Sequence, residues 1–211
     1  MEQSVLKLNL GCGNNKLPGW INIDSVREFA PDLLHDISQP LPFDDQSVDE
    51  VNADGILEHF DKYSRYNVIY EWARVLRIGG RIQIGVPNFQ KILYRYFKFS
   101  FYDFVDTIFG ENMLASAVYT GHFGNHKWGY SVQSLSEFVQ LFGINPVKIE
   151  RQGLIIRLFG EKRQHITKNE FASLKVYSSA NAQGIGSPQM TFAEIDQRIQ
   201  DFNQSRLPHP N

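Results

Sequence analysis

The sequence is poor in the features that mark secreted, membrane-spanning and disulfide-rich proteins. Its 211 residues include a single cysteine, Cys12, so no internal disulfide can form and the chain fits a reducing compartment. No apolar run approaches the length of a membrane span, and residues 1–4 lack the basic and apolar stretches of a secretory signal. We therefore expect a cytoplasmic protein with no integral membrane contact.

Positive charge is also scarce. The chain has 21 Lys and Arg against 23 Asp and Glu, a formal net charge of -2, and no long basic run. A face that holds nucleic acid mainly through phosphate contacts needs an excess of positive charge. The composition therefore favours a small-molecule or neutral substrate and no nucleic-acid partner. The hydrophobic content of 42% suffices for one substantial core, which predicts one α/β domain with additions.

Residues 5–24 predict a strand, a glycine turn and a second strand. The apolar run 5–10 is followed by Gly11, Cys12 and Gly13, and the second run ends on Asp24. An acidic residue at the carboxyl end of a neighbouring strand can accept hydrogen bonds from both hydroxyls of a ribose. Turn and carboxylate together indicate an adenosine-containing cofactor, although Gly-x-Gly after a strand is often only a tight turn.

The glycine turn lacks two parts of a dinucleotide site. That fingerprint requires three glycines, a full helix directed at the pyrophosphate and an acid about 20 residues further on. Here only Gly-x-Gly is present, and residues 14–19 are too few for a helical crossover. S-adenosylmethionine has no pyrophosphate and suits this turn better. An NAD-type oxidoreductase stays as the weaker alternative.

Five short segments carry a resemblance to a known family. They are LNLGCG (8–13), GWINID (19–24), LPF (41–43), LEH (57–59) and VLRIGG (75–80). In their order and spacing the sequence resembles the class I S-adenosylmethionine-dependent methyltransferases, particularly the type 11-like group, over roughly residues 5–150. The resemblance implies S-adenosyl-L-methionine as cofactor and an antiparallel pair of strands that closes the sheet.

The pattern of elements predicts the fold. Strands are expected at 5–10, 20–24, 33–37, 48–53 and 81–88, with a helix at 62–76 that Gly79 and Gly80 end. Short turns or helices between strands predict a Rossmann-like, doubly wound, mainly parallel seven-stranded sheet. We expect the last two strands at 146–150 and 174–177, a loop at 161–169, and a helix over 135–142 with Ser134 and Glu137 as its capping box.

The resemblance also assigns cofactor contacts. It implies that Gly11 and Gly13 approach the methionine part of the cofactor, Asp24 the ribose, and Asp36 with Ile37 the adenine. An equally strong interpretation of Asp36 is that it only caps the following turn. The predicted cofactor site is completed by the neighbouring residues Asn9, Cys12, Ser25 and Asp54.

Two histidines are candidate catalytic residues. His59 follows the fourth strand, and its imidazole titrates near neutral pH, so it can accept the acceptor's proton; Glu58 could orient it, and packing against Phe60 is the structural alternative. In the loop 121–131 the resemblance favours His126 over His122. His122 and His126 could also hold a metal, but no carboxylate or thiolate lies nearby in the sequence. We therefore predict no metal site.

Residues 89–130 hold 13 of the 28 aromatic residues. We interpret this segment as an aromatic-rich helical insertion that covers the active site and excludes water; an ordinary subdomain core and a homodimer or membrane-surface contact are the alternatives. The methyltransferase domain is predicted to span 1–180, and 181–211 to form a linker and a C-terminal helix.

These patterns predict an S-adenosylmethionine-dependent methyltransferase that acts on oxygen or nitrogen of a small-molecule or glycan-like acceptor. A non-catalytic S-adenosylmethionine-binding protein would have the same glycine turn and carboxylate. A nucleic-acid methyltransferase is a variant of the leading hypothesis, which a steep salt dependence of RNA or DNA binding would support.

Overall fold

A computed structural model describes residues 5–96 and 126–174. Its strands form one sheet of seven in the order β3-β2-β1-β4-β5-β7-β6. The strands are β1 (Lys7–Leu10), β2 (Ile21–Asp24), β3 (Leu33–Leu34), β4 (Val48–Asp54), β5 (Leu76–Pro87), β6 (Ile144–Gln152) and β7 (Ile155–Lys162). Strands β1 to β5 pair in parallel, whereas β7 is antiparallel to both β5 and β6. The predicted Rossmann-like, mainly parallel sheet is confirmed.

The helices of the described ranges are few and short. They are α1 (Ser64–Val75), α2 (Phe89–Tyr96), α3 (Val132–Gln140) and a last helix over 168–174, with single 3-10 turns at Arg27–Phe29 and Leu57–His59. None of the helices in these ranges has the length and hydropathy of a membrane span. The chain divides into two compact units, Met1–Thr167 and Lys168–Asn211; the described part of the second is a helix over 168–174.

The two faces of the sheet differ in polarity because strand side chains alternate between them. On one face the side chains are apolar and fully buried, among them Leu8, Val51, Ile84 and Leu158. On the other face a polar row crosses the paired strands: Asn22 of β2, Asn9 of β1, Asn52 of β4 and Gln83 of β5. The core of the unit therefore lies on the first face.

Helix α1 packs on the apolar face through side chains at helical spacing. Val68, Ile69, Trp72 and Val75 are all fully buried. Lys162, which shares its face with Leu158, is also fully buried, and its Nζ donates to the carbonyl oxygens of Ala73 (2.7 Å) and Leu76 (2.6 Å). Burial lowers the pKa of Lys162 to about 8. This lysine ties the carboxyl end of α1 to β7 and satisfies carbonyls that the helix cannot.

Helix α1 ends within one residue of its predicted end at Leu76, but the prediction that Gly79 and Gly80 stop it was wrong. The helix ends at Val75, and β5 begins at once with Leu76 and runs through both glycines. Gly79 has a left-handed φ of 75°, and the register between β4 and β5 shifts beside it, where Val48 pairs with Leu76 and Glu50 with Arg81. The left-handed glycine thus accommodates a bulge within a strand.

The closing antiparallel pair exists, but its second strand lies earlier than predicted. It is β7, at Ile155–Lys162, which alternates half-buried and buried residues and follows β6 after the left-handed Gly153. Residue 174 belongs to a helix, and residues 175–177 lie outside the described ranges. Helix α3 also starts earlier, because Ser131 and Ser134 form its capping box, whereas Glu137 accepts a hydrogen bond from Gln133.

Several predictions concern residues that the structure does not describe. Most of the aromatic insertion, at 97–125, is among them, as are His122 and the C-terminal segment from residue 175 onward. Only the first part of the insertion, helix α2, is described. The predicted cover over the site, the homodimer contact and the C-terminal helix therefore stay predictions.

Candidate cofactor and acceptor site

A cleft of about 400 Å³ lies where the parallel strands end. Seven of the predicted site residues line it, namely Gly11, Gly13, Asp24, Ser25, Asp36, Ile37 and His59. They follow β1, β2, β3 and β4, whose carboxyl ends share one edge of the sheet. This edge is where open α/β sheets bind their ligands.

Asp24 joins the second strand to the glycine turn. Its Oδ2 accepts a hydrogen bond from the amide of Gly13 (2.8 Å), and its Oδ1 accepts one from the amide of Val26 (2.9 Å). A carboxylate has about four acceptor positions, so each oxygen retains the capacity to accept a further hydrogen bond. Asp24 is only 8% exposed, and that exposure is on the cleft. It can therefore bind ligand hydroxyls while it holds the turn.

The two glycines of the turn serve different purposes. Gly11 has a left-handed φ of 62°, and a Cβ there would lie 2.6 Å from Cγ1 of Ile56. Gly13 has a φ of 48°, but a Cβ there would meet nothing within 4 Å. Gly11 therefore allows close packing against Ile56, whereas the surroundings of Gly13 leave room for a ligand to approach the backbone.

Asp36 caps a turn and also lines the cleft. Its Oδ1 accepts a hydrogen bond from the amide of Ser38 (2.9 Å), so it caps the turn after β3. It also lines the cleft beside Ile37, which is 6% exposed. The remaining carboxylate oxygen is the one that could accept from a ligand amino group.

Three predicted cofactor residues lie elsewhere. Asn9, Cys12 and Asp54 line a second cavity of about 510 Å³, here called the polar groove, together with Asn52 and Gln83 of the polar face. Strand alternation turns Asn9 away from the cleft. Burial, followed by the charge of Asp24, raises the pKa of the Cys12 thiol, which makes it a poor nucleophile.

The polar groove contains side chains that satisfy one another. Asn9 donates to Oδ1 of Asn22 (2.9 Å) and accepts from Nδ2 of Asn52 (2.7 Å). Asp54 forms an ion pair with Arg157, whose Nη2 lies 3.0 Å from its Oδ2. The polar atoms of these residues are thus engaged within the protein.

The two candidate catalytic histidines come together, although they are distant in sequence. His59 ends the 3-10 turn after β4, and its ring centroid lies 5.0 Å from that of His126 in an edge-to-face arrangement. The main-chain oxygen of Glu58 accepts hydrogen bonds from the amides of Lys127 (2.7 Å) and Trp128 (3.1 Å). This backbone contact brings the segment that carries His126 to the turn that carries His59.

The sequence suggested Glu58 only as a residue that could orient His59, and it did not predict the burial of this side chain or its contact with His126. Its side chain is buried, with 3% exposed, and its Oε1 lies 4.0 Å from Nε2 of His126. Burial, with a smaller contribution from the charge of Asp54, raises the pKa of Glu58 to about 8. At neutral pH this carboxyl is therefore mainly protonated. The available signal was an acid directly before a histidine at a strand end.

Arg65 of α1 braces the same region. Its guanidinium carbon lies 4.2 Å from the ring centroid of Trp128, 4.5 Å from that of Phe138 and 5.8 Å from that of Tyr130. These contacts join α1, the segment after His126 and α3. Burial raises the pKa of Tyr130 to about 12, so this phenol is not a base near neutral pH.

Comparisons with known proteins agree with the strand order. Residues 8–84 match the model of a family described as a methyltransferase domain. No curated protein sequence matches the chain significantly.

Several solved structures share the fold at low sequence identity. A putative methyltransferase from Haloferax volcanii, in complex with the Trm112 methyltransferase activator, is 15% identical with a TM-score of 0.55, and the alignment covers 79% of this chain and 86% of that one. An S-adenosylmethionine-dependent methyltransferase from Archaeoglobus fulgidus is 13% identical with a TM-score of 0.55, and the alignment covers 76% of this chain and 87% of that one.

A third neighbour carries ligands. It is the 1,6-didemethyltoxoflavin-N1-methyltransferase from Burkholderia thailandensis, bound to 1,6-didemethyltoxoflavin and S-adenosylhomocysteine, with 13% identity, a TM-score of 0.51 and coverage of 77% of this chain and 72% of that one. The family match and the strand order confirm the resemblance drawn from the sequence. The chain has the fold of class I S-adenosylmethionine-dependent methyltransferases, and its residues 8–84 match the methyltransferase-domain family.

Proposed function

We propose that the chain binds S-adenosylmethionine in the cleft and transfers its methyl group to oxygen or nitrogen of a small-molecule or glycan-like acceptor. The observation that carries this proposal is that one cleft is lined by both Asp24 and His59. The first is a buried carboxylate suited to a ribose, and the second is an imidazole suited to an acceptor's proton. Gly11 and Gly13 line the same cleft.

The charge of the cleft supports this cofactor over a dinucleotide. Asp24, Asp36 and Asp61 contribute carboxylates to the lining, and Lys127 contributes an ammonium group. Residues 14–20, which follow the glycine turn, contain no helix whose amino terminus could bind a pyrophosphate. An acidic lining favours a cationic sulfonium and disfavours a dianionic pyrophosphate.

The reaction makes modest demands on the protein. A lone pair of the acceptor attacks the methyl carbon, the carbon–sulfur bond breaks, and its electrons remain on the sulfur of S-adenosylhomocysteine. The acceptor's proton must leave, and alignment supplies most of the catalysis. We assign proton acceptance to His59 because it lines the cleft, with His126 beside it, and we assign a positioning role to Glu58.

A small-molecule acceptor is supported by one structural neighbour and by the charge of the chain. The toxoflavin-precursor enzyme shares the fold and acts on a small heterocycle. The net charge of -2 gives no basic excess for nucleic acid.

The test is transfer of labelled methyl groups from S-adenosylmethionine to a panel of hydroxylated and amine acceptors. We expect transfer to at least one acceptor, with kcat reduced about 100-fold or more in His59→Gln, within the range of general-base effects. The His165→Gln variant is the matched control, because His165 contacts Lys162 and does not line the cleft. S-adenosylhomocysteine binding without transfer to any acceptor would favour the non-catalytic alternative.

A further inference from the structure

Three metal-ligating side chains meet beside the cleft. One ligand atom from each of Glu58, His59 and His126 can be chosen so that all three lie within 4.8 Å of one another. We propose that these residues form a binding site for a divalent transition-metal ion, with Zn²⁺ as the best fit. The sequence predicted no metal because no carboxylate lies near His126 along the chain; the fold supplies one from Glu58.

The donor set determines the class of ion. Two imidazole nitrogens and one carboxylate oxygen suit Zn²⁺ and its first-row neighbours, whereas Mg²⁺ and Ca²⁺ prefer oxygen ligands alone. Zn²⁺ lies about 2.0–2.2 Å from such ligands, so tetrahedral ligand atoms are roughly 3.4 Å apart. The farthest pair of ligand atoms must therefore approach by up to about 1.4 Å, which would require side-chain rotations of His59 and His126. Three protein ligands leave a coordination position open.

The second observation is an unsatisfied carboxyl oxygen. Within the described residues, Oε2 of Glu58 is buried and has no hydrogen-bond partner, and the residue is 3% exposed. A buried polar atom without a partner is costly, and a bound cation compensates a buried carboxylate better than water could.

Main-chain hydrogen bonds and side-chain packing hold in place the backbone that carries the three ligands. The main-chain oxygen of Glu58 accepts from the amides of Lys127 and Trp128, next to His126. Arg65 then packs against Trp128 and links this segment to α1 and α3. Ligands that neighbouring contacts orient are typical of metal sites in proteins. Because His59 lines the cleft, the ion would lie at the cleft wall.

The chemical role of the ion, unlike its binding, rests on the proposed function. An acceptor hydroxyl bound at the open position would lose its proton to water more readily. With the ion bound, His59 would be a ligand, and the ion would replace it as the group that activates the acceptor. The resulting oxygen anion would attack the methyl carbon, and the carbon–sulfur electrons would stay on sulfur. The ion keeps its oxidation state throughout. The acceptor class implied is therefore an oxygen nucleophile able to coordinate a metal, such as a phenol or a vicinal diol.

The experiment is a titration of chelator-treated protein with Co²⁺, followed by its visible absorption and by displacement with Zn²⁺. We expect one Co²⁺ per chain with the spectrum of mixed nitrogen and oxygen ligands. Glu58→Gln and His126→Gln should each weaken binding more than about 100-fold, since loss of an outer contact alone costs roughly 10–100-fold. His165 lies outside the cluster, so the His165→Gln variant should bind Co²⁺ with the affinity of the parent.

Failure of the metal proposal can be told from failure of the proposed function. Absence of saturable Co²⁺ binding, or unchanged binding in Glu58→Gln and His126→Gln, would overturn the metal site. A thermal melt of each variant establishes that it folds. S-adenosylhomocysteine titrated into chelator-treated protein tests the cofactor site alone, and we expect that it binds there without added metal.

Discussion

Two cavities meet at Gly11, and they differ in how their polar groups are used. The cleft is lined by residues that follow the strand ends, whereas the polar groove is lined largely by side chains within the strands. At the groove, Asn9 bonds to both Asn22 and Asn52, and Asp54 is paired with Arg157. In the cleft, Asp24 retains capacity to accept hydrogen bonds. Next to His59 at the cleft wall, Oε2 of the buried Glu58 has no hydrogen-bond partner among the described residues.

This difference separates a structural cavity from a functional one. Buried polar groups normally find partners within the protein, so a network that satisfies itself needs no ligand. A carboxyl that is desolvated and incompletely bonded is typical of a site whose ligand completes it. By this criterion we propose that the cleft and its wall at Glu58 are the functional region and that the polar groove stabilises the sheet. Four predictions test the distinction.

The largest expected effect concerns Glu58 in chelator-treated protein. Its pKa is about 8 in the folded chain and 4.5 ordinarily, so between pH 4.5 and 8 the folded state binds more protons than the unfolded state. The free energy of unfolding should therefore fall as pH rises through this window, by roughly 3–5 kcal/mol from this group at about 1.4 kcal/mol per pKa unit.

Urea unfolding at several pH values measures this slope. Glu58→Gln cannot ionise and should lose most of the slope, while Asp44→Ala, an exposed acid outside both cavities, should keep it. A Glu58→Gln variant with the parent's pH dependence would show that Glu58 ionises normally in the folded state.

The second prediction breaks the polar groove. Asn9→Leu removes the partner of Asn22 and Asn52 and the donor to the main-chain oxygen of Asn15. Buried groups left without partners cost about 1–3 kcal/mol each, so we expect a loss of roughly 2–4 kcal/mol in the free energy of unfolding. Denaturant unfolding measures it.

The same variant should leave the cleft intact. Because Asn9 lies outside the cleft, the affinity of folded Asn9→Leu for S-adenosylhomocysteine should stay within about threefold of the parent, under 1 kcal/mol. A large loss of affinity with little loss of stability would reverse the roles assigned to the two cavities.

The third prediction breaks the cleft. Asp24→Ala removes a buried carboxylate that would accept hydrogen bonds from the ribose, and charge-assisted bonds of this kind contribute about 1.5–3 kcal/mol. The affinity for S-adenosylhomocysteine, measured by calorimetry, should fall by roughly 10- to 150-fold. Asp24→Asn retains one acceptor oxygen and should lose less. Parent-like affinity in Asp24→Ala would rule out this residue as the ribose ligand.

The smallest effect is expected at Asp54. Its carboxylate is paired with Arg157 on the groove side, and both side chains are partly exposed. Asp54→Asn should change the affinity for S-adenosylhomocysteine by less than about 0.5 kcal/mol, since partly exposed ion pairs contribute little. A tenfold loss in the same calorimetric measurement would return Asp54 to the cofactor site that the sequence predicted.

The sequence predicted what short segments determine. Local patterns predicted the parallel strands, the turn at Gly11 and Gly13, and the carboxylate of Asp24. The turn and the carboxylate line the cleft. Asn9 shows the limit of a linear motif: it directly precedes Leu10 and the turn, yet strand alternation places its side chain on the opposite face.

Contacts between distant segments escaped prediction. The junction of Glu58 with His126 depends on main-chain hydrogen bonds that no local pattern encodes. Strand β7 was missed because its charged end, Glu161 and Lys162, resembled a loop; Lys162 is in fact buried, and it binds the carbonyl oxygens of α1. A charged residue usually lies at the surface, but it can be buried where the carbonyl oxygens of a helix end accept its hydrogen bonds.

The most direct test of the central claim is isothermal titration of the purified chain with S-adenosylhomocysteine, with NAD as the control. The cleft that Asp24, Gly11 and Gly13 line predicts saturable, one-to-one binding of S-adenosylhomocysteine and no binding of NAD. Binding of NAD instead, or of neither compound, would contradict the assignment of the cleft as a methyl-donor site.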